Sequence, residues 1–173
     1  EIQVVKVSSD PKNFAGQICA AQWLANGYEL PCFGAGGDGS VTYSDSPVLE
    51  NGARDDEPTL VVVLPASNDS QVVGSYAPLV VPTGSHFRGV FGCGYQANAC
   101  NVRLTVTYRA GNGEERALGE WQESYDGAYT KIDIDLDALG LANQQVLFKF
   151  YFKANGSSEQ DTVFFLSPRL QIP

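Results

Sequence analysis

The chain has 173 residues, 43% hydrophobic and 18% charged, so it is long enough for one well-cored domain and is not expected to be disordered. Its 20 acidic and 11 basic residues give a formal net charge of −9, which disfavours nucleic acid and anionic membranes as partners. No apolar run approaches the roughly twenty residues of a membrane-spanning helix, so membrane insertion is not expected.

The N-terminus and the cysteines both point to a chain from outside the cytoplasm. The chain begins at Glu1 rather than Met, which is typical of a mature chain after removal of a signal peptide. Its cysteines form two close pairs, Cys19 with Cys32 and Cys93 with Cys100. These spacings are wider than the C-x₂₋₄-C pairs of a zinc site, so two local disulfides are predicted. We therefore expect a protein that is secreted or displayed at the cell surface.

The first segment, Glu1–Ser9, has the pattern of a β-strand and is followed by Asp10-Pro11. Its apolar residues are Ile2, Val4, Val5 and Val7. Such a strand could complete the sheet of its own chain, or it could pair with the open sheet edge of a neighbouring copy. The sequence leaves both arrangements open.

Residues 13–58 are rich in glycine and predict a long, irregular region. From Thr59 onward, short apolar or alternating runs bounded by Pro, Gly or Asn predict strands. The predicted strands are Leu60–Leu64, Val72–Tyr76, Leu79–Val81, His86–Cys93, Val102–Tyr108, Leu118–Tyr125, Tyr129–Leu136, Val146–Lys153 and Thr162–Ile172.

Helical patterning is confined to Asp137–Leu141, about one turn. Many short strands without a long helical period predict an all-β fold. We expect one antiparallel β-sandwich domain over residues 1–173, with jelly-roll topology and two local disulfides.

The C-terminal half carries a resemblance to a known group of domains. Residues 131–139 (KIDIDLDAL) and 145–150 (QVLFKF) resemble the strand, short turn and strand near the end of carbohydrate-binding-module-like sandwiches of the galactose-binding and NPCBM type. Residues 161–170 (DTVFFLSPRL) resemble the closing strand of that group. The resemblance implies a β-sandwich, and it implies binding of an extracellular polysaccharide as one function to expect.

No catalytic apparatus is recognisable. A Ser-His-Asp set needs a histidine, and His86 is the single one, with no Gly-x-Ser-x-Gly turn beside it. Asp133, Asp135 and Asp137 alternate with apolar residues, which predicts a solvated acidic face of one strand, with a calcium ligand set as the alternative. A non-catalytic protein is therefore expected.

Two candidate binding sites remain. The densest group of oxygen ligands in the irregular region could hold a structural calcium ion, although it lacks the spacing of a defined calcium loop; it comprises Asn51, Asp55, Asp56 and Glu57. Aromatic faces in or beside loops could stack on sugar rings; these residues are Trp23, Tyr28, Tyr95, Trp121, Tyr125 and Tyr129. Trp121 and Tyr125 share strand parity and are expected to pack. Trp23 and Tyr95, each close to a cysteine and to glycine-rich backbone, are the better candidates for exposure, although packing in the core or a loop is the more common state for each.

Two functions follow from these patterns. The first is a structural subunit of an extracellular filament or surface assembly, built by copies that exchange the strand Glu1–Ser9. The alternative is a carbohydrate-binding module for extracellular polysaccharide. We rank assembly first, because a secreted sandwich without catalytic residues and without a linker to an enzyme could still function by assembling with copies of itself.

Overall fold

Two antiparallel sheets face each other in the computed structural model, which describes residues 10, 12–32 and 38–173. The described strands are β1 (Gln22–Ala25), β2 (Tyr28–Leu30), β3 (Ser40–Ser44), β4 (Thr59–Val63), β5 (Gln71–Ser75), β6 (Leu79–Val80), β7 (His86–Cys93), β8 (Asn101–Ala110), β9 (Arg116–Ser124), β10 (Thr130–Asp135), β11 (Gln145–Ala154) and β12 (Thr162–Gln171). Two 3₁₀ helices span Ile18–Ala20 and Asp137–Leu139. The prediction of an all-β sandwich is confirmed.

The chain crosses repeatedly between the two sheets. The seven-stranded sheet has the order β2-β1-β5-β11-β8-β9, with β6 paired to β11, and the five-stranded sheet has the order β10-β7-β12-β4-β3. The consecutive strands β10, β11 and β12 therefore lie in alternate sheets, as in a jelly roll. No helix in the described residues is long and apolar enough to cross a membrane.

Period-2 alternation determines which side chains enter the core. In β8, Val102, Leu104 and Val106 are fully buried, while Arg103 and Thr105 between them lie on the outer face. The same alternation in β11 buries its phenylalanines. The inner faces of both sheets therefore supply one continuous hydrophobic core.

Phenylalanine rings form the centre of that core. Phe165 of β12 contacts Phe150 of β11 with ring centroids 5.2 Å apart, and it contacts Phe91 of β7 at 6.5 Å. Both pairs have edge-to-face geometry, which aromatic quadrupoles favour. One residue of the closing strand thus links the two sheets.

The outer face of β12 is also buried. Phe164 and Leu166 pack against Leu49, which belongs to the connection between β3 and β4. Val90 and Tyr129 complete this second, smaller cluster. Residues 45–58 therefore cover part of the five-stranded sheet from outside.

Both predicted disulfides are confirmed. Cys19 is bonded to Cys32 with 5.2 Å between Cα atoms, and Cys93 is bonded to Cys100 with 6.1 Å between Cα atoms. The predicted strand Glu1–Ser9, with Ile2, Val4, Val5 and Val7, lies outside the described residues, so its pairing stays a prediction.

Two details of the sequence interpretation are wrong. The region 13–58 is not irregular throughout, because it contains β1, β2 and β3. Asn26 and Gly27 have φ angles of 48° and 86°, which suit the tight turn between β1 and β2. The predicted helical segment Asp137–Leu141 ends earlier, at Leu139, because Gly140 adopts a left-handed conformation.

The contact between Trp23 and Gly74 makes a testable prediction about packing. A Cβ atom at Gly74 would lie 2.4 Å from Trp23 Cζ3, so Gly74→Ala is expected to destabilise the protein by about 1–3 kcal/mol through overpacking. Ser75→Ala, on the neighbouring position of β5, should change stability by less than about 0.5 kcal/mol. Urea unfolding followed by fluorescence measures both, and equal stability of the two variants would contradict the prediction.

Candidate functional site

The candidate aromatic residues do not gather at one place. Trp23, a candidate for exposure, takes the packed alternative instead: the residue is only 2% exposed, and its indole N–H donates to the Ile18 carbonyl at 3.0 Å. The ring lies on the inner face of β1, edge-on to Tyr76, because the hairpin after β1 makes Trp23 a core position. Trp23 is therefore unable to stack on a sugar.

Three other candidates are half-buried. Trp121 and Tyr125 pack against the main core, as expected from their strand parity, and the Tyr125 hydroxyl donates to the Glu50 carbonyl at 3.2 Å. Tyr129 packs edge-on against Phe164, with ring centroids 6.0 Å apart. These rings support the β9–β10 connection, and they offer little free face to a ligand.

Tyr28 and Tyr95 have free ring surface. Tyr28 is 80% exposed on β2, at the edge of the seven-stranded sheet. Tyr95 is 51% exposed in the connection between β7 and β8. Of the two candidates for exposure, Trp23 and Tyr95, only Tyr95 has free ring surface.

Tyr95 borders the concave surface that we call the Tyr95 groove. This groove has a volume of about 350 Å³, within the range of about 300–1,000 Å³ common for ligand sites. It lies on the outer side of the five-stranded sheet, between the end of β3 and the β7–β8 connection. Its lining residues are Ser44, Ser46, Pro47, Val48, Val61, Gly94, Tyr95, Thr162, Val163 and Phe164.

The backbone that carries Tyr95 is fixed at several points. The Cys93–Cys100 disulfide closes the connection at its base. The Gly94 N–H donates to the Thr162 carbonyl at 2.8 Å, which attaches the connection to β12. One side of the ring lies against Gly52, where a Cβ atom would be 3.3 Å from Tyr95 Cε2. The ring is thus supported on one side and exposed on the other.

The chemistry of the Tyr95 groove combines hydroxyl and apolar groups. Ser44, Ser46 and Thr162 supply hydroxyls that can donate and accept hydrogen bonds. Val61 and Phe164 supply an apolar surface from the outer faces of β4 and β12. The residues that line the groove carry no formal charge. Such a surface suits a neutral ligand with both C–H faces and hydroxyl groups.

The outer face of the seven-stranded sheet is different, since charged side chains cover it and pair with each other. Tyr151 donates its hydroxyl to Glu115 at 2.7 Å, and Arg103 forms an ion pair with Glu120 at 3.5 Å. Burial and the Glu115 hydrogen bond raise the pKa of Tyr151 to about 12. Hydrogen bonds from Thr107 and Tyr151 lower the pKa of the Glu115 carboxyl. These groups already have partners, so they are less available to a sugar.

His86 lies on the outer surface of the five-stranded sheet. Its Nδ1 atom is 2.6 Å from Asp133 Oδ1, and Arg88 Nε contacts the other oxygen of Asp133 at 3.2 Å. The hydrogen bond with His86 lowers the pKa of the Asp133 carboxyl, and Arg88 lowers it further. Among the described residues, the side-chain hydrogen bonds of His86 include no serine or threonine hydroxyl, so the pair lacks the nucleophile of a triad.

The candidate calcium ligands of residues 51–57 bind backbone groups of their own loop. Asp55 Oδ1 accepts the N–H groups of Asp56 and Glu57, and Asn51 Oδ1 accepts the Ala53 N–H at 2.9 Å. In the described part of the chain, a different set of acidic side chains has its ligand atoms within 4.8 Å of one another: Glu50, Glu123 and Asp126. Sequence reasoning missed this set because its members are far apart in the chain. It also missed Ser44, Ser46 and Thr162, for which the sequence holds no signal.

Comparison with known proteins gives a fold but no sequence family. No protein-family model matches the chain, and no curated protein matches it. Among solved structures, TmCBM61 in complex with β-1,4-galactotriose superposes with a TM-score of 0.58 at 10% identity, covering 96% of this chain and 98% of that chain.

Two further structures match parts of longer proteins. A structure described as showing promiscuous specificity of carbohydrate-binding modules from the β-sandwich superfamily matches with a TM-score of 0.52 at 10% identity, over 92% of this chain and 60% of that one. An exo-β-agarase matches with a TM-score of 0.55 at 9% identity, over 94% of this chain and 24% of that one. The resemblance found in the C-terminal half therefore extends over most of the chain, which has the fold of the β-sandwich carbohydrate-binding modules.

Proposed function

We propose that this protein is a non-catalytic carbohydrate-binding module that binds a neutral extracellular polysaccharide in the Tyr95 groove. The observation that carries the proposal is the exposed Tyr95 ring, which is fixed in place beside hydroxyl groups and an apolar surface. The two disulfides support a location outside the cytoplasm.

The proposed chemistry follows from the two kinds of surface on a pyranose. One face of the sugar ring presents C–H groups, which pack on an aromatic ring, and the rim presents hydroxyls. Tyr95 would receive the C–H face, and Ser44, Ser46 and Thr162 would exchange hydrogen bonds with the rim. A galactose-based polymer is a reasonable first ligand to test, because TmCBM61 was solved with β-1,4-galactotriose.

Carbohydrate binding now ranks above filament assembly, which reverses the order expected from the sequence. Similarity of fold to carbohydrate-binding modules supports the sugar hypothesis. Filament assembly rests on Glu1–Ser9, which lies outside the described residues, and the comparisons add nothing to it. Exchange of that segment between copies stays a prediction from sequence.

Substitution of Tyr95 tests the proposed site. Tyr95→Ala is expected to reduce binding to the preferred polysaccharide at least about tenfold, because stacking on an aromatic ring supplies much of the affinity for a neutral sugar. Affinity electrophoresis through gels that contain galactan, agarose, arabinan or xylan identifies the polysaccharide and measures the loss. Tyr28→Ala is the matched control, since Tyr28 is the more exposed ring and lies on the other sheet. Loss of binding in the Tyr28 variant alone would refute this site.

The absence of charge in the groove lining makes a second prediction. Polysaccharide retention should change less than about twofold between about 50 and 500 mM NaCl, since salt screens ionic contacts and leaves stacking and neutral hydrogen bonds. An acidic polysaccharide held by the basic side chains on the outer face of the seven-stranded sheet would give the opposite result. A steep decrease in retention with salt would therefore contradict binding of a neutral polysaccharide in the Tyr95 groove.

A further inference from the structure

Three acidic side chains from two separate segments meet beside the β9–β10 connection. Glu50 belongs to residues 45–58, Glu123 to β9, and Asp126 to the turn that follows β9. One carboxylate oxygen from each lies within 4.8 Å of the others. Glu50 is 3% exposed and Glu123 is 5% exposed, so two of the three carboxylates are removed from water.

The hydrogen bonds of these groups leave one buried carboxylate oxygen unpaired. Glu50 Oε1 accepts the Gly127 N–H, whereas Glu50 Oε2 is buried and has no hydrogen-bond partner. Glu123 Oε1 accepts the Thr130 hydroxyl, and Asp126 Oδ1 accepts the Ala128 N–H at 3.0 Å. An unpaired buried carboxylate oxygen is costly, so the site requires another group.

Positive charge from the protein does not meet this requirement. The ion pairs formed by the described residues do not include Glu50, Glu123 or Asp126. Like charges this close repel each other unless a proton or a cation lies between them.

We propose that Glu50, Glu123 and Asp126 form a site for a divalent cation of the calcium class, which fastens residues 45–58 to the end of β9. The donor set consists of hard oxygen ligands, which calcium prefers, and it lacks the nitrogen and sulfur ligands typical of zinc. Backbone carbonyls and water commonly complete the six to eight oxygens around calcium.

This site differs from the one indicated by the sequence. Asp55 and Asn51 have their side-chain oxygens occupied by backbone N–H groups, as in a self-contained turn. Glu50 immediately precedes that turn but points toward the β9–β10 connection, where the Gly127 N–H binds it. The turn therefore positions Glu50 at the proposed site. The other two ligands come from β9 (Glu123) and from the turn that follows it (Asp126).

Calorimetric titration of the protein with CaCl₂, after dialysis against EDTA and then metal-free buffer, tests the proposal. Saturable binding at one site is expected, with a dissociation constant between about 10⁻⁷ and 10⁻³ M, the range that calcium sensors and extracellular modules span. The melting temperature should rise on addition of calcium and fall with EDTA, because a ligand that binds the folded state stabilises it. No binding and no thermal shift at about 10 mM CaCl₂ would overturn the proposal.

Three variants locate the ion. Glu50→Gln is expected to weaken calcium binding at least tenfold and to abolish the thermal shift. Asp126→Asn keeps the acceptor for the Ala128 N–H, and it should also weaken binding while the fold is retained. Glu57→Gln is the matched control, the same change in an exposed residue of the same segment, and it should bind like the unmodified protein. Loss of binding in Glu57→Gln with normal binding in Glu50→Gln would assign the ion to the other set.

The cation proposal stands apart from sugar binding, because its readout is calcium binding itself. Calcium binding by a protein that retains no polysaccharide would refute the Tyr95 groove and leave the cation site intact. Polysaccharide retention without calcium binding would refute the cation site and leave the Tyr95 groove intact. The two failures are therefore distinguishable.

Discussion

The contact between Leu49 and the outer face of β12 is the constraint on which both candidate sites depend. A strand in the middle of a sandwich sheet usually has one face in the core and the other in water. In β12 the outward residues Phe164 and Leu166 are also apolar, so that face has to be covered. Residues 45–58 lie across it, with Leu49 as the buried anchor. This placement forms one wall of the Tyr95 groove, and it directs Glu50 toward β9.

The same segment contributes residues to both sites. Glu50 faces the acidic cluster, and Gly52, two residues later, supports the ring of Tyr95. A small residue is needed at Gly52, because its φ angle of 82° is unfavourable for residues with a side chain and because the ring lies close to it. An ion that fixes Glu50 would therefore also fix the support of the proposed sugar-stacking ring. Reduced mobility before binding lowers the entropy lost on binding, which is how such a site can raise affinity without touching the ligand.

The sequence predicted the parts of this fold that depend on local patterns. Strict alternation gave β8, the bounds of β7 matched at His86–Cys93, and the cysteine spacings gave both disulfides. The hairpin of β1 and β2 was missed although Asn26-Gly27, a strong turn signal, is visible in the sequence, because the strands are only four and three residues long. Without that hairpin, the sequence could not decide between an exposed and a packed Trp23. The acidic cluster and the groove hydroxyls could not be predicted, because the tertiary packing of residues 45–58 brings them together.

A segment without regular secondary structure needs more than one apolar anchor to stay in place. Ordering each residue costs backbone conformational entropy, so contacts along the whole segment have to offset that loss. Burial of Leu49 is therefore joined by hydrogen bonds to other parts of the chain, from the Tyr125 hydroxyl to the Glu50 carbonyl and from the Ser167 N–H to the Pro58 carbonyl. Placing unpaired carboxylates at this point would further weaken the attachment. A cation bound between the three carboxylates would remove their mutual repulsion. Each carboxylate would then be attracted to the cation, and this would attach residues 45–58 to β9.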